Sequence, residues 1–284
     1  MSVKLIALDM DGTLLMSDHK HIHPRNCDMI RKAAESGIQV WIATGRLPED
    51  VSDYLIRKQL KCGLVCVNGT IAYESPLPDG KKLYHESILP EAAEKVIDMI
   101  LPYNIMVNAF EPGMVTTVAR EESHRYHLLE REGLILERRG EKAIYEAAKR
   151  GILKFYCMEE PGWATEASPI MDEIRERANA ISGIKATRSA PGIAEIMPDH
   201  VGKGKTLQEI AALYGIAPEE IMAVGDEEND LDMLEMCGYS VAMGNASAKV
   251  KETCRFMSTT NDEAGVAEAI TYALGLTTRL SEMR

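Results

Sequence analysis

What this chain has little of narrows its work before any motif is read. Aromatic residues make up 5% of the sequence, with three phenylalanines and two tryptophans, too few to suggest a platform on which nucleobases stack. Positive charge is also short, since 32 Lys and Arg stand against 44 Asp and Glu and leave a formal charge of -12. Broad binding to a phosphate backbone needs a basic face to displace counterions, so nucleic acid is not an expected partner. No apolar run approaches membrane-spanning length, and Asp9 and Asp11 interrupt the N-terminal stretch before it reaches the length of a signal peptide. The expectation is a cytoplasmic protein without a membrane partner. Six cysteines are scattered, and only Cys62 and Cys66 lie close together, which matches neither a zinc ribbon nor a small disulfide scaffold. Reduced, mostly buried thiols follow from that.

What is present is enough to build a core. With 284 residues and 45% hydrophobic content, the chain suits one large or two modest domains. Leu5-Ile6-Ala7-Leu8 reads as a buried strand of a parallel sheet and stops abruptly at Asp9-Met10-Asp11-Gly12-Thr13. Ligands of open α/β sheets sit beyond the carboxyl ends of such strands. Positions two apart in an extended chain share a face, so Asp9 and Asp11 can converge where their repulsion calls for a cation, with Mg²⁺ the natural candidate. Asp9-Met10-Asp11-Gly12 also suits a plain strand followed by an Asp-Gly turn with solvated carboxylates.

A helix is expected over 24–36, with Gly37 at its stop, and a second buried strand over 39–43. That strand ends at Thr44-Gly45-Arg46, where a hydroxyl, a flexible backbone and a guanidinium form a plausible anion cradle. A helix over 50–60 and a strand over 64–67 follow, ending at Asn68-Gly69, which by itself reads as a turn. From about residue 83 the character changes. Short strands over 105–110, 114–119 and 153–158 alternate with amphipathic stretches over 91–101, 121–132 and 171–180, the pattern of an α+β insertion. His124 and His127 are three apart on one of those stretches, but nothing joins them as further ligands, so no chemistry is assigned to them.

After residue 188 the β/α rhythm is expected to return, with a strand over 193–197 and a helix over 206–214. Lys203-Gly204-Lys205-Thr206 resembles the end of a Walker A loop, yet Asp199 stands where its first glycine belongs. Residues 221–225 form another buried strand that ends at Asp226-Glu227-Glu228-Asn229-Asp230. A strand over 239–243 and a helix over 263–274 close the fold. One edge of a parallel sheet would therefore gather Asp9, Asp11, Thr44, Lys203, Asp226, Asn229 and Asp230. That set combines cation-binding acids with a hydroxyl and an ammonium suited to a phosphoryl group.

In order and separation, Asp9-Met10-Asp11-Gly12-Thr13, Thr44-Gly45-Arg46, Lys203-Gly204 and Gly225-Asp226-Glu227-Glu228-Asn229-Asp230 resemble the four motifs of the haloacid dehalogenase superfamily. The insertion, Asn68-Gly69 before it and Val241-Ala242-Met243-Gly244-Asn245-Ala246 after the last motif resemble its Cof-type subfamily with a C2B cap. The resemblance implies an α/β fold: a Rossmann-like parallel core of 1–82 and 188–284 with helices on both faces, and an α+β cap domain over 83–187. It further implies an Mg²⁺-dependent phosphatase of small phosphorylated metabolites, sugar phosphates above all, working through an aspartyl-phosphate.

In that scheme Asp9 is the nucleophile and a metal ligand, and Asp11 is the acid and then the base, with its carbonyl on the metal. Asp226 is a further ligand, and Asn229 and Asp230 complete the shell or hold Lys203. Thr44, Gly45, Lys203 and Asn229 face the phosphate, while Arg46 and Asn68 are candidate substrate or cap contacts, with a structural ion-pair role equally open to Arg46. Gly202 and Thr70 depart from the usual pattern, where a polar residue and an alanine are common. A sugar phosphomutase and a phosphometabolite-binding protein without turnover are the alternative readings.

Overall fold

The computed structural model describes residues 3–119, 136–159, 168–188, 192–275 and 281–282. The expected helix over 121–132, with His124 and His127, lies outside them. In chain order the first elements are β1 (Leu5–Leu8), α1 (Pro24–Glu35), β2 (Gln39–Ala43), α2 (Pro48–Arg57), β3 (Gly63–Cys66), β4 (Ile71–Tyr73) and β5 (Lys82–His85). Next come α3 (Pro90–Ile100), β6 (Ile105–Glu111), β7 (Met114–Val118), β8 (Leu136–Arg139), α4 (Glu141–Arg150), β9 (Lys154–Glu159), α5 (Pro169–Asn179), β10 (Ile184–Thr187) and β11 (Ile193–Pro198). The rest is α6 (Lys203–Leu213), β12 (Ile221–Gly225), α7 (Leu231–Met236), β13 (Tyr239–Ala242), α8 (Ala248–Thr253), β14 (Phe256–Met257), α9 (Gly265–Ala273) and β15 (Ser281–Glu282).

Two compact units result. The first comprises Met1–Arg46, Val51–Tyr84 and Gly202–Arg284. Its sheet runs in the order β15-β14-β13-β12-β1-β2-β3-β4-β5, and the strands from β14 to β3 are parallel. β1 and β12 are wholly apolar and buried, and β2 is so after its half-buried first residue, Gln39, as strands covered on both faces must be. Chain order runs outward from β1 in one direction and from β12 in the other, so the topological switch point lies between these two neighbours. The acids that follow them therefore share one crevice edge. Helix ends are locally encoded: Pro24 opens α1, the His23 ring accepts the Arg25 N–H, and Gly37 at φ 83 lets the chain turn away after it.

The second unit comprises Leu47–Asp50 and His85–Val201. Its sheet order is β10-β11-β9-β6-β7-β8, antiparallel except for β7 with β8. Ile97, Ile144 and Ile174 from α3, α4 and α5 join Val107, Phe155 and Ile196 from one face of that sheet in a single buried cluster. The sequence reading places 188–284 in the core, but the structure pairs β11 with β9 and β10 in the second sheet. A short apolar strand satisfies either sheet, and no local pattern names its partners.

All six cysteines are free, and five are buried. Burial pushes the Cys62 and Cys157 thiols up to about 12. Native protein should therefore react with iodoacetamide at these positions roughly a thousandfold more slowly at pH 8.5 than an unfolded thiol, which mass spectrometry of labelled peptides reads directly. The unfolded chain ionises both thiols from about pH 8.5 upward while the folded chain keeps their protons, so stability should fall as pH rises through that window. Melting temperatures that do not decline between pH 8 and 10.5 would contradict this.

Candidate active site

Asp9 and Asp226 are the first residues beyond β1 and β12, and the Asp9 N–H donates to the Val224 carbonyl at 3.0 Å, so sheet pairing itself sets them side by side. Immediately after Asp9 the chain folds into a tight turn over Met10–Leu14 in which Gly12 has φ 79. A Cβ there would lie 2.2 Å from Asp226 Oδ2, so glycine is required both by its backbone angle and by the close approach. Thr13 Oγ1 donates to Asp226 Oδ1 at 2.7 Å.

Lys203 opens α6, and its ammonium donates to Asp9 Oδ1 at 2.7 Å and to Asp230 Oδ1 at 2.6 Å. The other Asp230 oxygen accepts the backbone N–H groups of Asp226 and Glu227 at 3.0 and 3.2 Å. Lys203 is 1% exposed and Asp230 is fully buried. Burial, together with repulsion from Asp230 and Asp226, holds the Asp9 carboxyl well above the carboxylate range, although Lys203 pulls the other way. Burial and Asp230 likewise push Asp226 up to about 7. For Lys203, burial alone would lower the ammonium's pKa, but Asp230 and Asp9 outweigh it and keep the group charged.

Ligand atoms of Asp9, Asp226 and Asp230 lie within 4.8 Å of one another. Lys203 supplies one positive charge against these three carboxylates, an imbalance that a divalent cation would offset. Hard oxygen donors at this spacing fit Mg²⁺. Asp9 and Asp226 have the better claim as direct ligands, because both Asp230 oxygens are already taken by Lys203 and two amides.

Thr44 follows β2, and its hydroxyl accepts the Arg46 N–H at 3.2 Å, a bond that shapes the loop through Gly45. Arg46 grips Asp11 with both arms, Nε to Oδ2 at 2.7 Å and Nη2 to Oδ1 at 2.6 Å, and lies over the Tyr54 ring at 5.6 Å. His19 Nδ1 stands 3.6 Å from Asp11 Oδ1. Burial raises the Asp11 carboxyl, but Arg46 and His19 outweigh it and hold the group below the ordinary range. The two aspartates of the opening motif are thus in opposite electrostatic settings.

Asn68 is buried in a turn where Val67, Asn68 and Gly69 all have positive φ, at 50, 55 and 95. A β-branched residue at such an angle is strained, and the surroundings must hold it there. They do so on three sides: the Val67 N–H donates to the Arg46 carbonyl, the Asn68 N–H to the Thr44 carbonyl, and Thr206 Oγ1 to the Gly69 carbonyl at 2.7 Å. Thr70 Oγ1 closes the turn by donating to Val67 O at 3.0 Å. Any Cβ on Gly69 would lie 2.3 Å from the Gly202 carbonyl. Both departures from the usual pattern, Thr70 and Gly202, therefore belong to a backbone joint that ties Thr44 and Arg46 to the start of α6.

Asn229 sits half-buried in the turn Glu228–Asp230, one residue before the acid that holds Lys203. No motif marks His19 or the Thr13–Asp226 bond, and Thr206 stands in the Walker-A-like stretch without a role there. Asn245, whose Nδ2 donates to the Gly12 carbonyl at 2.8 Å, belongs to the Val241–Ala246 stretch that carries the Cof-type resemblance, without a role of its own there.

A family model of haloacid dehalogenase-like hydrolases matches residues 6–270. The chain belongs to that family. One curated relative, the 5-amino-6-(5-phospho-D-ribitylamino)uracil phosphatase YwtE of Bacillus subtilis, is 29% identical over 288 residues, covering 96% of this chain and 98% of its own. Another phosphatase of the same name and organism, YcsE, is 30% identical over 272 residues and 95% of each chain. A solved haloacid dehalogenase-like hydrolase from B. subtilis shares 25% identity at a TM-score of 0.82, covering 95% of this chain and 99% of its own. This haloacid dehalogenase-like hydrolase is a phosphatase by that kinship, with a Rossmann-like α/β core. No helix among its described residues is long and apolar enough to cross a membrane.

Proposed function

We propose that this hydrolase is an Mg²⁺-dependent phosphatase of small phosphomonoesters, sugar phosphates or related metabolites, that works through an aspartyl-phosphate on Asp9. The observation that carries the reading is the Asp9–Lys203–Asp230 chain of hydrogen bonds beside Asp226: a carboxylate oxygen held by a buried ammonium at the switch point of the sheet. A loose phosphoryl transition state demands positioning and charge stabilisation more than a strong base, and an aimed carboxylate is sufficient as nucleophile.

Asp9 attacks phosphorus, and the alkoxide leaves with a proton from Asp11; a water activated by Asp11 then hydrolyses the acyl phosphate. Asp11 starts as a carboxylate clamped by Arg46, so its acid role requires that clamp to open. The phosphoryl oxygens of an arriving substrate offer Arg46 an alternative bidentate partner. Lys203, the Thr44 hydroxyl and the Gly45 backbone would hold the other phosphoryl oxygens, with Asn229 beside them. When bound by Asp9, Asp226 and the Asp11 carbonyl, Mg²⁺ would neutralise phosphoryl charge.

The two B. subtilis relatives are named for a phosphorylated ribityl compound, which supports an alcohol phosphate as substrate class here. Purified protein with Mg²⁺ should release inorganic phosphate from p-nitrophenyl phosphate and from members of a panel of sugar and alditol phosphates, and chelation with EDTA should stop it. No release across the panel would overturn the proposal, and isomerised ester without free phosphate would favour a mutase.

A further inference from the structure

His19 of the first unit stands at φ 54, in the left-handed region that residues with a Cβ seldom enter. Backbone strain of this kind persists where the surroundings hold it, and it clusters at functional sites. Here the surroundings are a hairpin over 15–22, in which Leu15 bridges Ile22 antiparallel and the Met16 N–H donates to the His21 carbonyl at 2.8 Å. Asp18 sets the tip, because its Oδ1 accepts the Lys20 and His21 N–H groups, both at 2.9 Å. Asp262 pins the base by accepting from the Ser17 N–H at 2.9 Å and from Ser17 Oγ at 2.6 Å.

This hairpin aims His19 at the acid of the opening motif. Its Nδ1 stands 3.6 Å from Asp11 Oδ1, beside the carboxylate that Arg46 grips. Tyr54 touches both partners of that carboxylate: its ring lies under the Arg46 guanidinium at 5.6 Å, and its hydroxyl donates to the His19 carbonyl at 3.3 Å. At 3.6 Å the imidazole is just outside hydrogen-bond reach, and catalytic hydrogen bonds commonly tighten to full strength only once substrate is bound.

Arg46 now occupies both Asp11 oxygens. Once it turns to the phosphoryl group, as the mechanism above requires, Asp11 loses both bonds together. A carboxyl free to rotate is a poor acid, because a general acid must stay within reach of the oxygen it protonates. In the tautomer with its proton on Nδ1, the imidazole can take Oδ1 in place of Arg46. Oδ2 is then left for the proton that passes to the leaving oxygen as the ester O–P bond breaks.

We infer that His19 is a positioning residue for Asp11, its Nδ1–H holding Oδ1 after Arg46 has moved to the phosphoryl group. The inference rests on the phosphatase reading and adds a residue to it. No change of charge on the imidazole is involved; an N–H donor at that place suffices.

Glycine and asparagine both accept a left-handed backbone, so His19→Gly and His19→Asn preserve the hairpin. Asparagine also carries a donor, Nδ2, one bond beyond Cγ, as Nδ1 is in histidine. The test measures kcat/KM of the full-length protein with Mg²⁺ on two esters of similar shape. The p-nitrophenolate of p-nitrophenyl phosphate leaves without a proton, whereas the more basic phenolate of phenyl phosphate needs one. His19→Gly should lower kcat/KM for phenyl phosphate roughly tenfold, a part of what a general acid supplies, and for p-nitrophenyl phosphate by less than about twofold. His19→Asn should bring phenyl phosphate back to within about threefold of the parent. Tyr54→Phe keeps the ring under Arg46 but releases the His19 carbonyl; it should impose the same inequality and serves if melting curves show that His19→Gly disturbs the fold. Equal losses on both esters, no loss on either, or a defect that asparagine fails to repair would overturn the inference. Absence of phosphate release by the parent from both esters would instead remove the phosphatase reading.

Discussion

Asp9→Asn is expected to lower kcat by on the order of 10⁴-fold or more while leaving the fold intact, the scale reached when a covalent nucleophile is removed. The amide keeps the shape of the carboxylate but cannot attack phosphorus. Folding should not suffer, because the substitution removes one of three crowded buried acids and leaves Lys203 paired with Asp230 at 2.6 Å. Burial and repulsion already disfavour charge on Asp9, so the variant's melting temperature should equal or exceed that of the parent without Mg²⁺. Phosphate release and thermal melting, run on the same preparation, check both halves. Retention of even a tenth of the parent activity would exclude Asp9 as nucleophile.

Lys203→Met should have the opposite stability effect. The apolar side chain fills a similar volume but leaves Asp9 and Asp230 buried without their ammonium, and stranding one side of a buried ion pair costs about 3–5 kcal/mol. Activity should fall roughly 10²- to 10³-fold with loss of a transition-state charge partner. Because the variant holds an uncompensated cluster of acids, Mg²⁺ should raise its melting temperature more than it raises that of the parent, and EDTA should reverse the gain. Melting curves with and without the cation decide the matter. A variant as stable as the parent and indifferent to Mg²⁺ would mean that Lys203 does not bind the cluster together.

Much of the site could be read locally, for a physical reason. A parallel strand buried on both faces is a continuous apolar run, and its end is where polar residues first become affordable, so Asp9, Thr44 and Asp226 announce themselves by position. The Asp11–Arg46 pair was not legible in the same way. Arg46 reads from sequence either as a contact for substrate or cap or as a structural ion-pair partner, and the structure pairs it with the acid of the first motif, 35 residues away in the chain. His19 stands in no motif, and Thr206 stands only in a stretch that fails as a Walker A loop; each acts through a fold-dependent neighbour.

The domain division shows the same limit. Residues 105–110, 114–119 and 153–158 follow strand periodicity closely and form strands at nearly those positions. Nothing in β11 tells which sheet it joins, since pairing is decided by backbone partners far away in sequence.

By itself, then, the sequence determined the strands, the order of the four motifs and the residue types available for phosphoryl chemistry, because apolar periodicity and turn residues act over a few positions. Only the tertiary structure decided which acid pairs with which base: Lys203 with Asp9 and Asp230, Arg46 with Asp11. Charges interact through space, and the distances that separate a raised carboxyl at Asp9 from a lowered one at Asp11 exist only once β1, β2, β12 and α6 have packed.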